Sequence, residues 1–413
     1  MRNAMRFRDF IGLARGRSFW GRLPVVAAVA FVPSAAVAQQ APTRQFSIEP
    51  QLRLEFDDNV LRLPDVAASP NGFRRSDTRA SPQLAINIVR PIGRQSLFLT
   101  GVVGYDFYRY NKQLERERIS LRGGGSVSAG TCTLNGDVRY SRRQSDLEDI
   151  VIGGFGRGRN RETSWAPDVG VSCGAAGGLS SSLNYGHDDV QNSDPFRSYG
   201  DYHADTYNAQ IGLNRPAIGN LSLYTNYRHG IYDNRFLSPG LNESVKSYAA
   251  GVKLDREFGR IKGHVSGGVT RVQSNTPGVR GFRGGTYDVA LTYVAPRATA
   301  EVGFGRSIQQ SNLLGVDYSI VDSFNVGLTY RLNPRITLNS GAGVTRRRLS
   351  QSPLAPLPTG NFNDRSRTIN VGASFDAARH VSLDAGAIWR QRRGDLPSFA
   401  YNARILALTI RIH

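Results

Sequence analysis

Hydrophobic and polar residues alternate along most of this chain with a period of two. The alternation is clear in the segments 46–56, 97–107, 324–330, 369–375 and 406–412, where apolar residues recur at every second position. This period is typical of a β-strand with one apolar and one polar face, whereas an amphipathic helix repeats every 3.6 residues. The pattern therefore predicts an all-β protein.

Eighteen such segments follow one another, with boundaries uncertain by about two to four residues. They lie near 46–57, 78–90, 95–110, 116–129, 131–143, 162–173, 179–190, 203–215, 220–233, 244–256, 261–274, 282–295, 298–310, 317–331, 335–350, 364–376, 380–393 and 399–413. Splitting or fusing a hairpin would change the total to about sixteen or twenty strands. A soluble propeller would show a repeat of about 40 to 50 residues, which the chain lacks.

The connections between these strands alternate in length. Tight turns lie at 129–131, 216–219, 257–260, 296–297, 332–334 and 377–379, and longer polar loops lie at 58–77, 144–161, 191–202, 234–243 and 351–363. Outer-membrane barrels have short periplasmic turns and longer external loops. We therefore predict a transmembrane antiparallel up-and-down β-barrel in a Gram-negative outer membrane, with both termini in the periplasm.

The N-terminal segment has a different pattern. Six arginines precede a short apolar stretch at 23–37, and small residues lead up to Ala38. These are the parts of a cleaved secretory signal, whereas a membrane-spanning anchor needs a longer apolar run. We predict a signal peptide over 1–38 with cleavage before Gln39, a short periplasmic segment at 39–45 and a barrel over 46–413.

The chain is strongly basic, with a formal net charge of +19. The predicted signal peptide holds six arginines and one aspartate, so its removal leaves +14. Such an excess favours anionic partners, such as lipopolysaccharide or an acidic polysaccharide. Nucleic acid is not an expected partner, because the arginines are scattered through alternating segments and form no recognised binding module.

Two cysteines occupy matching positions in neighbouring predicted strands. Cys132 opens one strand and Cys173 ends the next, so antiparallel pairing brings them side by side. Both share the parity of the apolar residues and therefore face outward. Since secretion exposes them to an oxidising compartment, we predict a cross-strand disulfide, with two free thiols as the alternative.

No catalytic or metal-binding motif is present. The six histidines are scattered, and the metalloprotease, nucleotide-binding and dithiol motifs are missing from the sequence. No serine or histidine stands in a context that marks an activated nucleophile. We therefore predict a protein that is not an enzyme and that uses no cofactor or metal.

The inward-facing positions carry charges of both signs. The basic candidates for lining a lumen are Arg53, Arg122, Arg139, Arg143, Arg228, Lys262, Arg347, Arg390, Arg392 and Arg411. They could draw anionic solutes into a channel. Alternatively, they could pair across strands with acids such as Glu55, Asp137 and Asp384 and only hydrate the wall. Inward aromatic residues, including Tyr108 and Tyr232, could stack on sugar rings or serve in packing.

Short motifs in the first quarter of the chain carry a family resemblance. They are Asp57, Asp58 and Asn59 after the first strand, and Ser76, Asp77 and Thr78 at the start of the second. A turn at 91–94 then leads into a long aromatic strand ending at Tyr110. This order resembles the "putative β-barrel porin 2" family of outer-membrane proteins.

The resemblance implies a barrel that is often associated with exopolysaccharide or capsule export, beside a periplasmic polysaccharide-export protein. It implies no catalytic residues. We accordingly expect an outer-membrane exit for a polysaccharide, surrounded by lipid and lipopolysaccharide. A general or solute-specific uptake porin and a structural or adhesive barrel with a plugged lumen are the alternatives.

Overall fold

The structure is a computed structural model. It describes residues 44–65, 67–70, 72–145, 160–174, 177–235, 242–311, 316–351 and 362–413. The predicted signal peptide and most of the predicted loops at 144–161 and 351–363 lie outside the described residues.

The fold is built from eighteen strands, as the alternation predicts. They are β1 Gln45–Asp57, β2 Asp77–Ile92, β3 Gln95–Tyr108, β4 Arg116–Ala129, β5 Cys132–Gln144, β6 Arg161–Gly174, β7 Leu179–Asn192, β8 Tyr202–Arg215, β9 Gly219–Tyr232, β10 Ser244–Phe258, β11 Ile261–Ser274, β12 Phe282–Val294, β13 Ala298–Gln310, β14 Val316–Asn333, β15 Ile336–Gln351, β16 Phe362–Ala378, β17 Val381–Gly394 and β18 Tyr401–Ile412. Short 3₁₀ helices at Lys112–Leu114, Pro195–Gly200 and Pro397–Phe399 lie in the connections. None of the helices described has the length and apolarity needed to cross a membrane.

Each strand pairs antiparallel with its sequence neighbours, and the first strand closes the sheet on the last. Gln51 to Asp57 of β1 pair with Ile405 to Arg411 of β18. Apolar side chains such as Phe46, at 70% exposed, and Leu223, at 60% exposed, point away from the sheet. Large apolar side chains are exposed all round the barrel, which is the pattern of a wall that faces lipid. The antiparallel barrel with about eighteen strands is therefore confirmed.

The two ends of the barrel differ. At one end, called the turn end, two to four residues connect the strands, and Gly93, Gly130 and Gly259 adopt positive φ angles of 59°, 61° and 57°. Tight hairpin turns require such angles, which glycine adopts without steric cost. The opposite end, called the loop end, carries the longer connections, including 58–76 and 233–243.

The two cysteines are joined at the turn end. Cys132 stands opposite Cys173 in the β5–β6 register, and their sulfur atoms form a disulfide. Both belong to the outward parity of their strands, as the sequence predicts. The bond links β5 and β6 at the first residue pair of their antiparallel register.

We expect the change of both cysteines to serine to lower the free energy of unfolding by about 2–4 kcal/mol, because the closed loop constrains the unfolded chain. Urea unfolding of the lipid-reconstituted barrel measures this loss. Peptide mapping without reduction should find Cys132 and Cys173 in one cross-linked peptide. Alkylation of both thiols without prior reduction would contradict the bond.

Candidate functional site

The lumen wall is polar along its length. The strand register places all ten predicted basic residues on the inward face, among Asn, Ser, Thr and Gly. Arg122 points inward from the middle of β4, and its side chain is nevertheless 54% exposed. The lumen is therefore open to solvent beside this strand.

Most of these basic residues pair with carboxylates on their own or nearby strands. The contacts are Arg53 with Glu55, Arg122 with Asp137 at 2.7 Å, Arg143 with Glu162 at 2.9 Å, Arg228 with Asp188 at 2.7 Å, Arg347 and Arg392 with Asp364 at 2.7 Å each, and Arg411 with Asp384 at 2.7 Å. Arg139 and Lys262 make no ion pair with any residue that the structure describes. Arg390 lies on the same inward face of β17. The predicted inward set is thus largely charge-neutralised, whereas Arg139 and Lys262 have no carboxylate partner among the described residues.

Sequence reasoning missed a second group of inward cations near the loop end. Arg79 of β2 contacts Glu55 at 2.7 Å and Asp106 at 3.3 Å. Arg118 of β4 lies 3.8 Å from the same Asp106. Arg118 has the same inward parity as Arg122 on β4, and this parity could have identified Arg118 from the sequence. Arg79 likewise shares the inward parity of Ser81 and Gln83 on β2, so the alternation could have found it too.

The first long loop folds into the mouth of the barrel. Leu61 and Leu63 of this loop are buried with Leu114 against the inward ring of Tyr108, and we call this group the loop cluster. Tyr108 therefore serves in packing. The apolar contacts draw the loop over the lumen at this side of the mouth.

The family-motif residues anchor this loop. The Asn59 amide donates to the carbonyls of Leu63 and Asn402, at 2.8 Å each. Asp57 pairs with Arg62 at 2.7 Å. Three backbone amides donate to the other motif residues: Arg404 to the Asp58 carboxylate at 2.7 Å, Asn111 to the Asp77 carboxylate at 2.7 Å, and Arg109 to the Thr78 carbonyl at 3.0 Å. Ser76 directly precedes β2. The motif thus fixes the connection between β1 and β2.

A second constriction comes from the β13–β14 hairpin. β12 and β13 pair only from Tyr287 and Arg306 toward the turn end, although both strands continue toward the loop end. Beyond that point Ile308, Tyr318 and Ile320, which have outward parity, pack against inward residues of β8 to β12. The tip of the hairpin therefore leaves the wall and bends into the lumen.

The buried centre of this contact is the hairpin cluster, formed by Tyr232, Val245, Val272 and Tyr318. Tyr232 is fully buried, and its hydroxyl lies 2.5 Å from the Ser311 carbonyl and 3.0 Å from the Asp317 carbonyl. The side chain of Ser274 also donates to Asp317. These bonds fasten both ends of the β13–β14 connection to the inner wall.

Arg235 completes the fastening. Its guanidinium lies 3.6 Å from the centre of the Tyr232 ring and donates to the carbonyls of Val316 and Ser311 at 3.1 Å each. A third bond, at 3.1 Å, reaches the Tyr199 carbonyl in the connection before β8. We call Tyr232 and Arg235 the latch, because together they join three connections at the mouth.

The connections beside the latch are tied to each other. The Asp201 carboxylate accepts hydrogen bonds from the Asn192 amide at 2.7 Å and from the Asn234 side chain at 3.1 Å. The Asp233 amide also donates to the Asp201 carbonyl at 3.0 Å. Burial raises the pKa of the Asp201 carboxyl group. The segment that carries Arg235 is therefore held beside the connection before β8.

A third group closes the remaining side of the mouth. Val316, Leu349, Phe362 and Phe399 form a buried rim cluster, in which the Arg392 guanidinium lies 4.4 Å from the centre of the Phe399 ring. In the described part of the chain, no group of three or more His, Cys, Asp or Glu side chains is placed to hold a metal ion. The site is thus a polar lumen with a narrowed loop end.

A closed antiparallel wall with an apolar exterior and a polar interior defines an outer-membrane β-barrel of the porin type. A family model described as "Putative beta-barrel porin 2" matches residues 201–413. The chain belongs to this family of porin-like barrels.

Solved structures of other barrels are similar to this chain at low identity. Pseudomonas aeruginosa OccK2 (OpdF) in complex with glucuronate is 11% identical, with 89% of this chain and 98% of that chain covered and a TM-score of 0.49. The siderophore receptor PirA from Pseudomonas aeruginosa is 11% identical, with coverages of 90% and 81% and a TM-score of 0.40. Pseudomonas aeruginosa OpdK with vanillate is 11% identical, with coverages of 88% and 98% and a TM-score of 0.46. A search of curated protein sequences finds no match.

Proposed function

We propose that this barrel is a conduit through which an exopolysaccharide or capsular polysaccharide leaves the cell across the outer membrane. The observation that carries the proposal is the neutralised polar wall. Inward arginines such as Arg122 and Arg228 are matched by carboxylates, while hydroxyl and amide groups occupy the positions between them. A hydrated polymer would find hydrogen-bond partners along such a wall without one strong binding site that stops its movement.

Arg139 and Lys262 favour an acidic polymer. Neither of these two members of the predicted inward set forms an ion pair with a carboxylate in the described part of the chain. A cation without a local counter-ion attracts a passing carboxylate more strongly than a paired one does. In this proposal the turn end and both termini face the periplasm, where a polysaccharide-export protein would deliver the polymer. Secretion with cleavage before Gln39 belongs to the same proposal.

Two other functions would use the same wall differently. A solute-specific uptake porin would use the narrowed loop end to select small molecules entering the cell. A structural or adhesive barrel would use the three apolar clusters at the mouth as a permanent plug. With either alternative, deletion of the gene would leave polysaccharide secretion intact. A plugged barrel would also carry no current in a planar bilayer.

The test combines gene deletion with a block placed in the lumen. Gly327 has inward parity, and a side chain there would first meet Glu301, 3.9 Å away. We expect deletion to abolish polysaccharide at the cell surface, wild-type protein to restore it, and Gly327→Trp to restore it only partly while lowering single-channel conductance. Surface polymer is measured in cells, and conductance is measured in planar bilayers.

The matched control is Gly267→Trp, the same substitution on the outward face of β11. An added side chain there meets nothing within 4 Å. It should leave both polymer secretion and conductance unchanged. An open channel whose deletion leaves secretion intact would favour the uptake porin. A wild-type barrel without current would favour the plugged barrel.

A further inference from the structure

Three arginines stand in one row across the outer wall near the loop end. Arg346 of β15 lies opposite Arg365 of β16, and Arg365 lies opposite Arg393 of β17. All three side chains are exposed and share the parity of the lipid-facing residues of their strands. We call them the arginine row. Since neighbouring strands are about 4.8 Å apart, three positive charges fall within about 10 Å.

The arginine row is electrostatically unfavourable by itself. Like charges directly opposite each other in a sheet destabilise the strand pair. Arg346, Arg365 and Arg393 make no ion pair with any of the residues that the structure describes, and the same holds for the nearby outward Arg367 and Arg404. An external anion would remove this repulsion.

The position of the row matches the boundary between lipid and water. On β16 the same outward face continues toward the turn end with Ile369, Val371 and Phe375, which are 48%, 52% and 40% exposed. Trp389 of β17 stands two outward rows nearer the apolar belt than Arg393, beside Ile369 of β16 and opposite Arg404 of β18. An indole and an arginine side by side at the edge of an apolar belt are typical of the headgroup level of a membrane.

The opposite side of the barrel has different chemistry at this end. There the outward Asp205 carboxylate accepts hydrogen bonds from His187 and from the Tyr185 hydroxyl, at 2.8 Å each. Between the two sides, the outward Arg142 pairs with Glu117 at 2.7 Å. The wall is therefore not uniformly basic. The outward arginines of β15 to β18 that form no ion pair with the described residues make a distinct patch.

We propose that the arginine row binds the phosphate groups of lipopolysaccharide in the outer leaflet. Guanidinium groups bind phosphate through paired hydrogen bonds, and a headgroup with two phosphates can contact more than one arginine of the row. The adjacent apolar face would contact the acyl chains of the same lipid. This inference rests on the orientation proposed above, in which the loop end faces outward, but not on the nature of the transported molecule.

Native mass spectrometry of the full-length barrel in detergent tests the proposal, with bisphosphorylated lipid A as the probe. We expect the variant Arg346→Gln/Arg365→Gln/Arg393→Gln to bind lipid A about 10- to 100-fold more weakly than wild type. In lipid-free detergent this variant should be at least as stable as wild type, because its mutual repulsion is relieved. If it does not fold, the single variant Arg365→Gln removes the charge that opposes both others and should still weaken binding.

The control variant Arg297→Gln/Arg335→Gln/Arg379→Gln makes the same change in net charge in exposed turns at the other end. It should bind lipid A as wild type does. Wild-type affinity in the triple variant would overturn the proposal, as would equal binding of phosphatidylglycerol or of lipid A stripped of phosphate. Conductance of the triple variant should be unchanged because the row faces away from the lumen, so a failed conduit and a failed lipid site give different results.

Discussion

Replacing Asp364 by asparagine is expected to lower the free energy of unfolding by about 3 kcal/mol or more, the usual result of removing one partner of a buried ion pair. The Asp364 side chain is 1% exposed and contacts Arg392, which is 0% exposed, at 2.7 Å. The same carboxylate also pairs with Arg347 at 2.7 Å. Without it, a buried guanidinium at the rim cluster loses the negative charge that compensates its desolvation.

The measurement is urea unfolding of the barrel in lipid vesicles, followed by tryptophan fluorescence. Asp322→Asn is the matched control, because Asp322 also contacts two arginines, Arg306 and Arg348, but on the exposed outer wall. Exposed pairs of this kind contribute about 0–1 kcal/mol. Equal losses in the two variants would show that burial does not set the strength of the Asp364 contacts.

Opening the latch is expected to raise conductance several-fold. In the double variant Tyr232→Phe/Arg235→Ala, the hairpin loses the bonds from the Tyr232 hydroxyl and the Arg235 guanidinium to the β13–β14 connection. The strand tip makes no wall pairing with β12. It would then be held by the packing of Ile308 and Tyr318 and by the remaining bonds from Ser274 to Asp317 and from the Tyr318 hydroxyl to the Arg280 carbonyl. Fluctuation of the tip should widen the mouth, and single-channel recording in planar bilayers would measure larger or more frequent openings.

Tyr224→Phe is the control for this experiment. Tyr224 also faces the lumen from β9, but it lies toward the turn end of that strand, away from the hairpin tip. The loss of its hydroxyl should leave the frequency of openings unchanged. If the latch variant folds normally and conducts like wild type, the hairpin is not the barrier at the mouth.

The sequence by itself determined the wall. In a strand the direction of each side chain follows from position alone, so alternation predicted all eighteen strands to within a few residues. The same parity assigned inward positions to residues as distant as Arg53 and Arg411, and it set Cys132 opposite Cys173. These properties depend on neighbours in sequence and on antiparallel pairing between consecutive strands.

Only the tertiary structure decided which inward charges pair and how the mouth closes. The contact of Arg79 with Glu55 depends on the register of two strands, and Asp364 is shared by arginines from both flanking strands. Parity also assigns Ile308 and Tyr318 to the lipid side, yet both pack inside the barrel. A strand that bends keeps its alternation while exchanging the environment of its two faces, so the local pattern does not record the bend.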